Sequence, residues 1–553
     1  MNDQNDPFDR ALHAGLAQWT RGLSPAALTL AWADWAIHFA AQPARAAQLL
    51  ASRPWTPAPH GPDRRLEDPA WDSWPFSFYR EAWRAGARWL EAVSGGVPGV
   101  ERHHDEVMRF AARQLMGISS PANLPGTNPQ VLHKTLGSAG LNLAQGARNW
   151  AEDLQRKQQG LPPVGAEDFV PGRQVACTPG KVVLRNRLME LIQYAPSTPT
   201  VHAEPILVMS AWIMKYYILD LSPHNSLVCY LVDQGHTVFA ISWRNPDAQD
   251  RDLGIGDYLE LGLMAALNAV NAIVPGQRVH ALGYCLGGTL LAIGAAAMAR
   301  EHDERLASMT LLAAQTDFSE PGELGLFIDE SQLSFLEDLM ASQGYLDSSQ
   351  MAGAFALLRP VDLIWSPMVR KYLLGERPPL TDLLAWNADG TCMPWRMHAD
   401  YLRNLFLNND LAQGRFMVHG QPVALGDIEV PIFAVGTTTD HVAPWCSVYK
   451  LHRLCDGDIH FVLTDGGHNA GIVSEPGHGG RHFRMRQRLR NAPYLPPERF
   501  LAEASVVDGS WWPALQAWLA QHSGARRKPP RMGAPARGLP PLEDAPGQYV
   551  MVR

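Results

Sequence analysis

An α/β chain is predicted, with a mainly parallel sheet, a helical insertion between late strands and a helical region ahead of the sheet. Three observations predict it. From about residue 171 to 318, short apolar runs recur with helix-like stretches between the later ones, the signature of a largely parallel sheet. From 319 to about 420 this rhythm stops, and the sequence is helix-prone and rich in Leu, Met, Trp and Tyr. Strand rhythm then returns at Ile432–Val435 and His460–Thr464.

The elements follow in order. The opening MNDQNDPFDR is polar and acidic, unlike a secretory signal. Residues 1 to 170 read as a helical N-terminal domain. Ser24-Pro25 is a cap followed by a first-turn proline, and Leu28, Trp32, Trp35 and Phe39 fall on one helical face. Trp55, Trp71, Trp74, Trp83 and Trp89 continue the aromatic run, either as a helical core or as a layer that docks on an apolar surface. The catalytic domain, 171–523, is expected to carry strands at Val182–Leu184, Met189–Ile192, Ile206–Ser210, Val238–Ser242, Val279–Tyr284 and Met309–Ala314. The first two are close enough for an antiparallel hairpin at one edge. The insertion at about 319–420 is placed as a cap. After residue 523, Arg526, Arg527, Lys528 and Arg531 stand among six prolines, and 524–553 reads as a flexible tail.

Composition narrows the function. A net charge of −8 gives no global case for nucleic acid binding. Six cysteines (Cys177, Cys229, Cys285, Cys392, Cys446, Cys455) show no C-x-x-C pair, which suits a reducing cytoplasm. Val279–Ala299 runs 21 residues without a formal charge, long enough to span a bilayer. Four glycines and His280 in that stretch favour strand–turn–helix instead, so no membrane span is expected.

That turn carries the chemistry. Gly283-Tyr284-Cys285-Leu286-Gly287 is the G-x-S-x-G nucleophile elbow of α/β-hydrolases, with sulfur in place of oxygen. The glycines are needed where the strained nucleophile's flanks pass close to neighbouring elements. A nucleophile needs a base, and the base an orienting acid, in the chain order nucleophile, acid, histidine. Asp440 follows the strand at 432–435 and His468 the strand at 460–464, so both stand at strand carboxyl ends, like Cys285. The rivals are weaker: His441 adjoins Asp440 and points elsewhere, and Asp465 precedes His468 too closely. The backbone N–H of Leu286 is the expected oxyanion donor, with a second from the loop at Ala211-Trp212. No metal cluster, phosphate loop or dinucleotide fingerprint is visible, so no cofactor is expected.

The chain resembles the polyhydroxyalkanoate synthases from Asp68-Pro69-Ala70-Trp71 to about residue 490. The resemblance rests on TPGKVVLRNRLMELIQY at 178–194, KYYILDLSPHNSLV at 215–228 and QGHTVFAISWRNPD at 234–247. It continues through GYCLGG at 283–288, ELGLFIDE at 323–330, DHVAPW at 440–445 and GGHNAGIVSEPGH at 466–478. It implies an acyltransferase that moves 3-hydroxyacyl groups from coenzyme A onto a growing polyester, with Cys285, Asp440 and His468 as its triad. The matching members are single-subunit enzymes of the cytoplasm, associated with polyester granules; a homodimer is compatible with this. The alternative is a polyester depolymerase or acyl-CoA thioesterase using the same triad. One loop departs from the family: where its members carry Pro-Pro-x-Ile-Asn-Lys-Tyr-Tyr, this chain has Ser210-Ala211-Trp212-Ile213-Met214-Lys215, with Met214 at the asparagine. Trp386-Asn387-Ala388-Asp389 is retained, whereas Cys392-Met393-Pro394-Trp395 is less typical.

Sulfur suits the implied reaction. Thioester-to-thioester exchange loads the enzyme with little loss of energy, and transfer to an alcohol then runs downhill. A free thiol ionises near ~8.5, so a histidine base needs to give only modest help.

Overall fold

A computed structural model describes residues 7–20, 22–51 and 63–553. Trp55 and the first six residues of the polar N-terminus lie outside the described residues. The chain forms two compact units. One comprises Gly165–Ser349 and Leu380–Arg553, with a short piece ending at Ala14; the other comprises Gly15–Val164 and Gln350–Pro379.

The second unit is helical. Ser24 caps the helix Pro25–Ala40 by accepting the N–H of Ala27. The face expected to be apolar divides: Ala31 is buried, Trp35 stacks on Phe39 at 5.2 Å, and Trp32 is 57% exposed. Helices Phe76–Ser94 and Arg102–Ile118 pack together. Trp71, Leu66 and Ala122 form a small core beside them, with Phe76 and Trp83 against it. The indole N–H groups of Trp71 and Trp83 donate to the carbonyls of Arg65 (3.0 Å) and Met116 (2.9 Å), so these rings are interior groups. Trp74, by contrast, is 84% exposed.

The middle of the insertion belongs to this unit. Asn142 and Asn149 donate to the carbonyls of Leu373 (2.8 Å) and Lys371 (3.0 Å), and Gln114 donates to that of Leu357 (3.1 Å). A Cβ at Gly146 would stand 1.9 Å from the Tyr372 carbonyl oxygen, so glycine is what lets the two segments meet.

The larger unit is built on a ten-stranded sheet. Its strands are β1 (Gly180–Arg185), β2 (Met189–Tyr194), β3 (Ile206–Met209), β4 (Val238–Trp243), β5 (Val279–Tyr284), β6 (Leu306–Leu312), β7 (Ile432–Thr437), β8 (Ile459–Thr464), β9 (His482–Arg488) and β10 (Val506–Asp508). Their order is β1-β2-β4-β3-β5-β6-β7-β8-β9-β10. Strands β3 to β8 run parallel, and the pairs at either edge are antiparallel, including the expected β1–β2 hairpin. Buried along their whole length, β3 to β7 read as the near-continuous apolar runs that make parallel strands legible. The chain passes from β3 to β4 on one side and returns to β5 on the other. The carboxyl ends of β3 and β5 therefore flank a crevice where the direction of winding reverses.

Residues 524–553 correct the expectation of a flexible tail. Leu542 N–H donates to Val182 O, Val182 N–H to Glu543 O and Ala545 N–H to Gly180 O, adding an antiparallel edge to β1. Arg527 pairs with Val201, and Gln193 donates to the carbonyl of Arg531. Unpaired edge groups of the sheet are the physical reason: even a proline-rich segment gains by satisfying them.

Candidate active site

Cys285 stands directly after β5 and before the helix Leu286–Arg300, at φ 52° and ψ −123°. A non-glycine residue in that region is strained, and the strain lifts the thiol clear of the sheet edge. Two glycines permit it. A Cβ at Gly283 would lie 2.4 Å from Gly288 Cα, and one at Gly287 would lie 2.2 Å from the carbonyl oxygen of Met209. The second contact sets the first turn of the elbow helix against the end of β3. The N–H groups of Gly288 and Thr289 donate to the Cys285 carbonyl (2.9 and 3.1 Å), whereas Leu286 and Gly287 stand ahead of the first helical acceptor.

The other two predicted residues meet here. Nδ1 of His468 lies 2.8 Å from Oδ2 of Asp440. Asp440 also accepts from Thr437 Oγ1 (3.0 Å) on Oδ2 and from the N–H groups of Val442 (2.8 Å) and Ala443 (2.9 Å) on Oδ1. Burial raises the carboxyl's pKa, but the charge and hydrogen bond of His468 and the two N–H groups outweigh it and hold it below 3.8. For His468 burial works against the charged ring. Asp440, and the neighbouring Cys285, push its pKa well above 6.5. With Nδ1 given to Asp440, Nε2 is the nitrogen left to hydrogen-bond the Cys285 sulfur. The two loops are tied to each other: Thr439 N–H donates to Gly466 O (3.0 Å), and Thr438 N–H to Thr464 O (2.9 Å).

The rivals have other work. Asp465 accepts from Arg481 and from the backbone N–H of His482, which shapes the loop around His468. His441 stands between Asp440 and the Val442 and Ala443 whose N–H groups bond the carboxylate.

Sequence reasoning missed a supporting set. The hydroxyl of Tyr284 donates to Asn469 Oδ1 (2.6 Å), and Asn469 donates to Asn387 Oδ1 (3.1 Å). The residues adjoining the nucleophile and the histidine are thus joined to the retained Trp386-Asn387 stretch. Their positions inside GYCLGG and GGHNAG were the available signal. Tyr401, from the later part of the insertion, lies within electrostatic range of Cys285.

The departing loop is held on several sides. Trp212 packs on Tyr258 (4.6 Å) and edge-on to Trp243 (5.8 Å), and its N–H points at the sulfur of Met397 (3.1 Å). Thr391 bonds the carbonyls of Trp212 and Ile213, and Met214 bridges to Gly390. Among the described residues, no group of three or more His, Cys, Asp or Glu side chains is arranged to hold a metal, and no helix is long and apolar enough to cross a membrane.

A cysteine on a sharp elbow at the switch point of a parallel sheet, with an acid and a histidine past the ends of β7 and β8, defines an α/β-hydrolase fold, and the "alpha/beta hydrolase fold" family matches residues 216–475. The family described as "Poly-beta-hydroxybutyrate polymerase (PhaC) N-terminus" matches 62–231, and "Poly-beta-hydroxybutyrate polymerase N terminal" matches 3–45. The chain is 40% identical over 496 residues to a poly(3-hydroxyalkanoate) polymerase of Methylorubrum extorquens, covering 89% of this chain and 81% of that one. It is 39% identical over 495 residues to the poly(3-hydroxyalkanoate) polymerase subunit PhaC of Rhizobium etli, covering 89% of this chain and 77% of that one. To the PhaC subunit of Cupriavidus necator it is 37% identical over 498 residues, covering 89% and 83%. The chain belongs to the poly(3-hydroxyalkanoate) polymerase family, and is an enzyme of the acyltransferase type.

Proposed function

We propose that this enzyme polymerises 3-hydroxyacyl groups, delivered as coenzyme A thioesters, through a covalent thioester on Cys285. The observation that carries this reading is the sulfur on a strained elbow beside a His468 that Asp440 already orients. Nε2 of His468 takes the thiol proton, and the thiolate attacks the acyl carbonyl. The carbonyl oxygen gathers negative charge, and in this reading the N–H of Leu286 and a donor from the loop at Ala211-Trp212 receive it. Coenzyme A leaves as its thiol with the proton from His468. The hydroxyl of the next acyl group or chain end then attacks the Cys285 thioester, giving its proton to His468 and freeing the sulfur. The product is an ester one unit longer.

Asp440 takes the orienting role in this scheme. Its two oxygens already accept four hydrogen bonds, which leaves no lone pair directed at an incoming hydroxyl. The work of deprotonating that hydroxyl falls to His468.

The substrate is itself the coenzyme A carrier, and the reading calls for no further cofactor. The insoluble product implies an enzyme that ends on the surface of polyester granules in the cytoplasm. Incubating the purified protein with 3-hydroxybutyryl-CoA tests the proposal. Insoluble polymer with released coenzyme A is expected; free hydroxy acid would instead make it a thioesterase, and no release would remove the acyl-transfer reading for this substrate.

A further inference from the structure

The segment after residue 523 does more than close a sheet edge. From its pairing with β1 it turns at Gly547, where φ is +81° and a Cβ would stand 2.3 Å from Oε2 of Glu190. That buried carboxylate accepts the N–H groups of Gln548 and Tyr549, both at 3.0 Å. Beyond this anchor the segment reaches Lys215, a residue only 2% exposed. The ammonium donates to the carbonyl of Val552 and points at that of Tyr549 (3.5 Å). Asp389 and Cys392 also face it, as does the charge of Arg553.

Lys215 ends the loop that leaves β3. Its own carbonyl accepts the indole N–H of Trp386 at 2.8 Å. Thr391 holds Trp212 and Ile213 just before it, and Ser210 Oγ donates to the carbonyl of Tyr216 just after it (3.0 Å). The loop is therefore gripped by residues 386–391 through its backbone and by residues 549–552 through one buried ammonium. This loop starts where the elbow helix touches β3, at Met209 and Ser210.

We propose that residues 542–552 are a strap that sets the position of the Ala211–Lys215 loop, with Lys215 as the positioning residue through which it acts on acyl transfer. The inference rests on the role given to this loop under the proposed function. A buried ammonium must be hydrogen-bonded, and here most of that demand is met by strap carbonyls. Displacing the strap leaves Lys215 to seek water, and the loop must follow it. Hydrogen-bond donors aimed at a developing oxyanion tolerate little misplacement.

The test compares full-length wild-type, Lys215→Met and Gly547→Ala proteins. The first variant removes the ammonium but keeps the stem; the second leaves Lys215 intact and drives the strap off Glu190. Three readings are taken: coenzyme A released in the first turnover from 3-hydroxybutyryl-CoA, the rate of Cys285 alkylation by iodoacetamide against pH, and thermal unfolding. Each variant should slow first-turnover release by about tenfold or more, since a displacement on the order of an ångström at a reacting centre costs that much. The alkylation profile, which reports the Cys285–His468 pair, should stay as in wild type. The double variant should lose no more than the worse single one, because both act through one contact.

Release within about threefold of wild type in both variants would overturn the proposal, being far below what misplacement costs. So would a loss accompanied by a matching change in the alkylation profile, and so would failure of both to fold, which would make the strap a folding element. Wild-type protein that releases no coenzyme A in the first turnover, or Cys285→Ala protein that does, would defeat the thioester mechanism instead.

Discussion

Sulfur at residue 285 makes the sharpest demands on experiment. Cys285→Ala should abolish coenzyme A release while unfolding close to the wild-type temperature, because a smaller side chain fits the elbow. Cys285→Ser should lose nearly all polymerisation, since its hydroxyl is harder to ionise and its acyl ester is a poorer donor; a serine variant that polymerises at the wild-type rate would remove the energetic case for sulfur. For Asp440→Asn, with the amide still able to bond the ring but favouring the wrong tautomer, acylation and elongation should fall together by about 10³–10⁴-fold. Elongation lost alone would give the carboxylate to the incoming hydroxyl. The same pair predicts a pH dependence of stability. Folding raises the pKa of His468 above 6.5, so its contribution is complete below 6.5 and is lost as pH rises through the folded value. Folding lowers that of Asp440, so its contribution is present above 3.8 and is lost as pH falls through a value below that. The gap in Tm between wild type and Asp440→Asn should therefore be widest between about pH 4 and 6.5 and narrow at alkaline pH. A gap independent of pH would mean that the pair is not ionised as described.

Among elements, the contact between the elbow helix and β3 is the tightest constraint on the site. Gly287→Ala places a methyl group 2.2 Å from a backbone oxygen that cannot move without moving β3. Loss of most coenzyme A release together with a lowered Tm is expected; an active, stable variant would show that the two elements can part. The sheet shows why some elements are legible and others are not. β3 to β7 are buried along their whole length and mostly apolar, with only a few polar residues such as His280 and Ser308, so they read as short apolar runs. β9, with sequence HFRMRQR, is an edge-side antiparallel strand whose arginines face solvent or cap other chain segments. Nothing in its composition separates it from a polar loop, and pairing with β8 and β10 makes it a strand.

At the scale of the whole molecule, the helical unit joins Gly15–Val164 to an insertion segment, Gln350–Pro379, that lies beyond six strands of the sheet. Removing residues 15–164 alone should leave 350–379 stripped of the Asn142, Asn149 and Gln114 bonds, and limited proteolysis should cut there first. Resistance of that segment in the truncated protein would show that it holds its shape without the unit. The aromatic residues sort into two kinds. Trp71→Ala should cost about 3–5 kcal/mol of stability, as for a ring removed from a packed core. Trp32 and Trp74 are exposed and remain available for an apolar surface, where burial of two such rings contributes roughly 3–6 kcal/mol. Replacing both by serine should weaken attachment to preformed granules and leave coenzyme A release unchanged; unchanged attachment would assign granule binding elsewhere.

What the sequence determined by itself is local: a cysteine in a strand–turn–helix, and an acid and a histidine each just past a strand. Those signals are carried by a few consecutive residues, so they need no knowledge of distant contacts. Tertiary structure alone decided the rest. Tyr284, Asn469 and Asn387 form one hydrogen-bonded series because three segments converge, and polar residues carry no periodicity that announces it. The proline- and arginine-rich stretch after 523 has the composition of a mobile tail, yet the unpaired edge of β1 and the buried charges of Glu190 and Lys215 hold it in place. Its order comes from partners elsewhere in the chain, and composition records only what a segment can do alone.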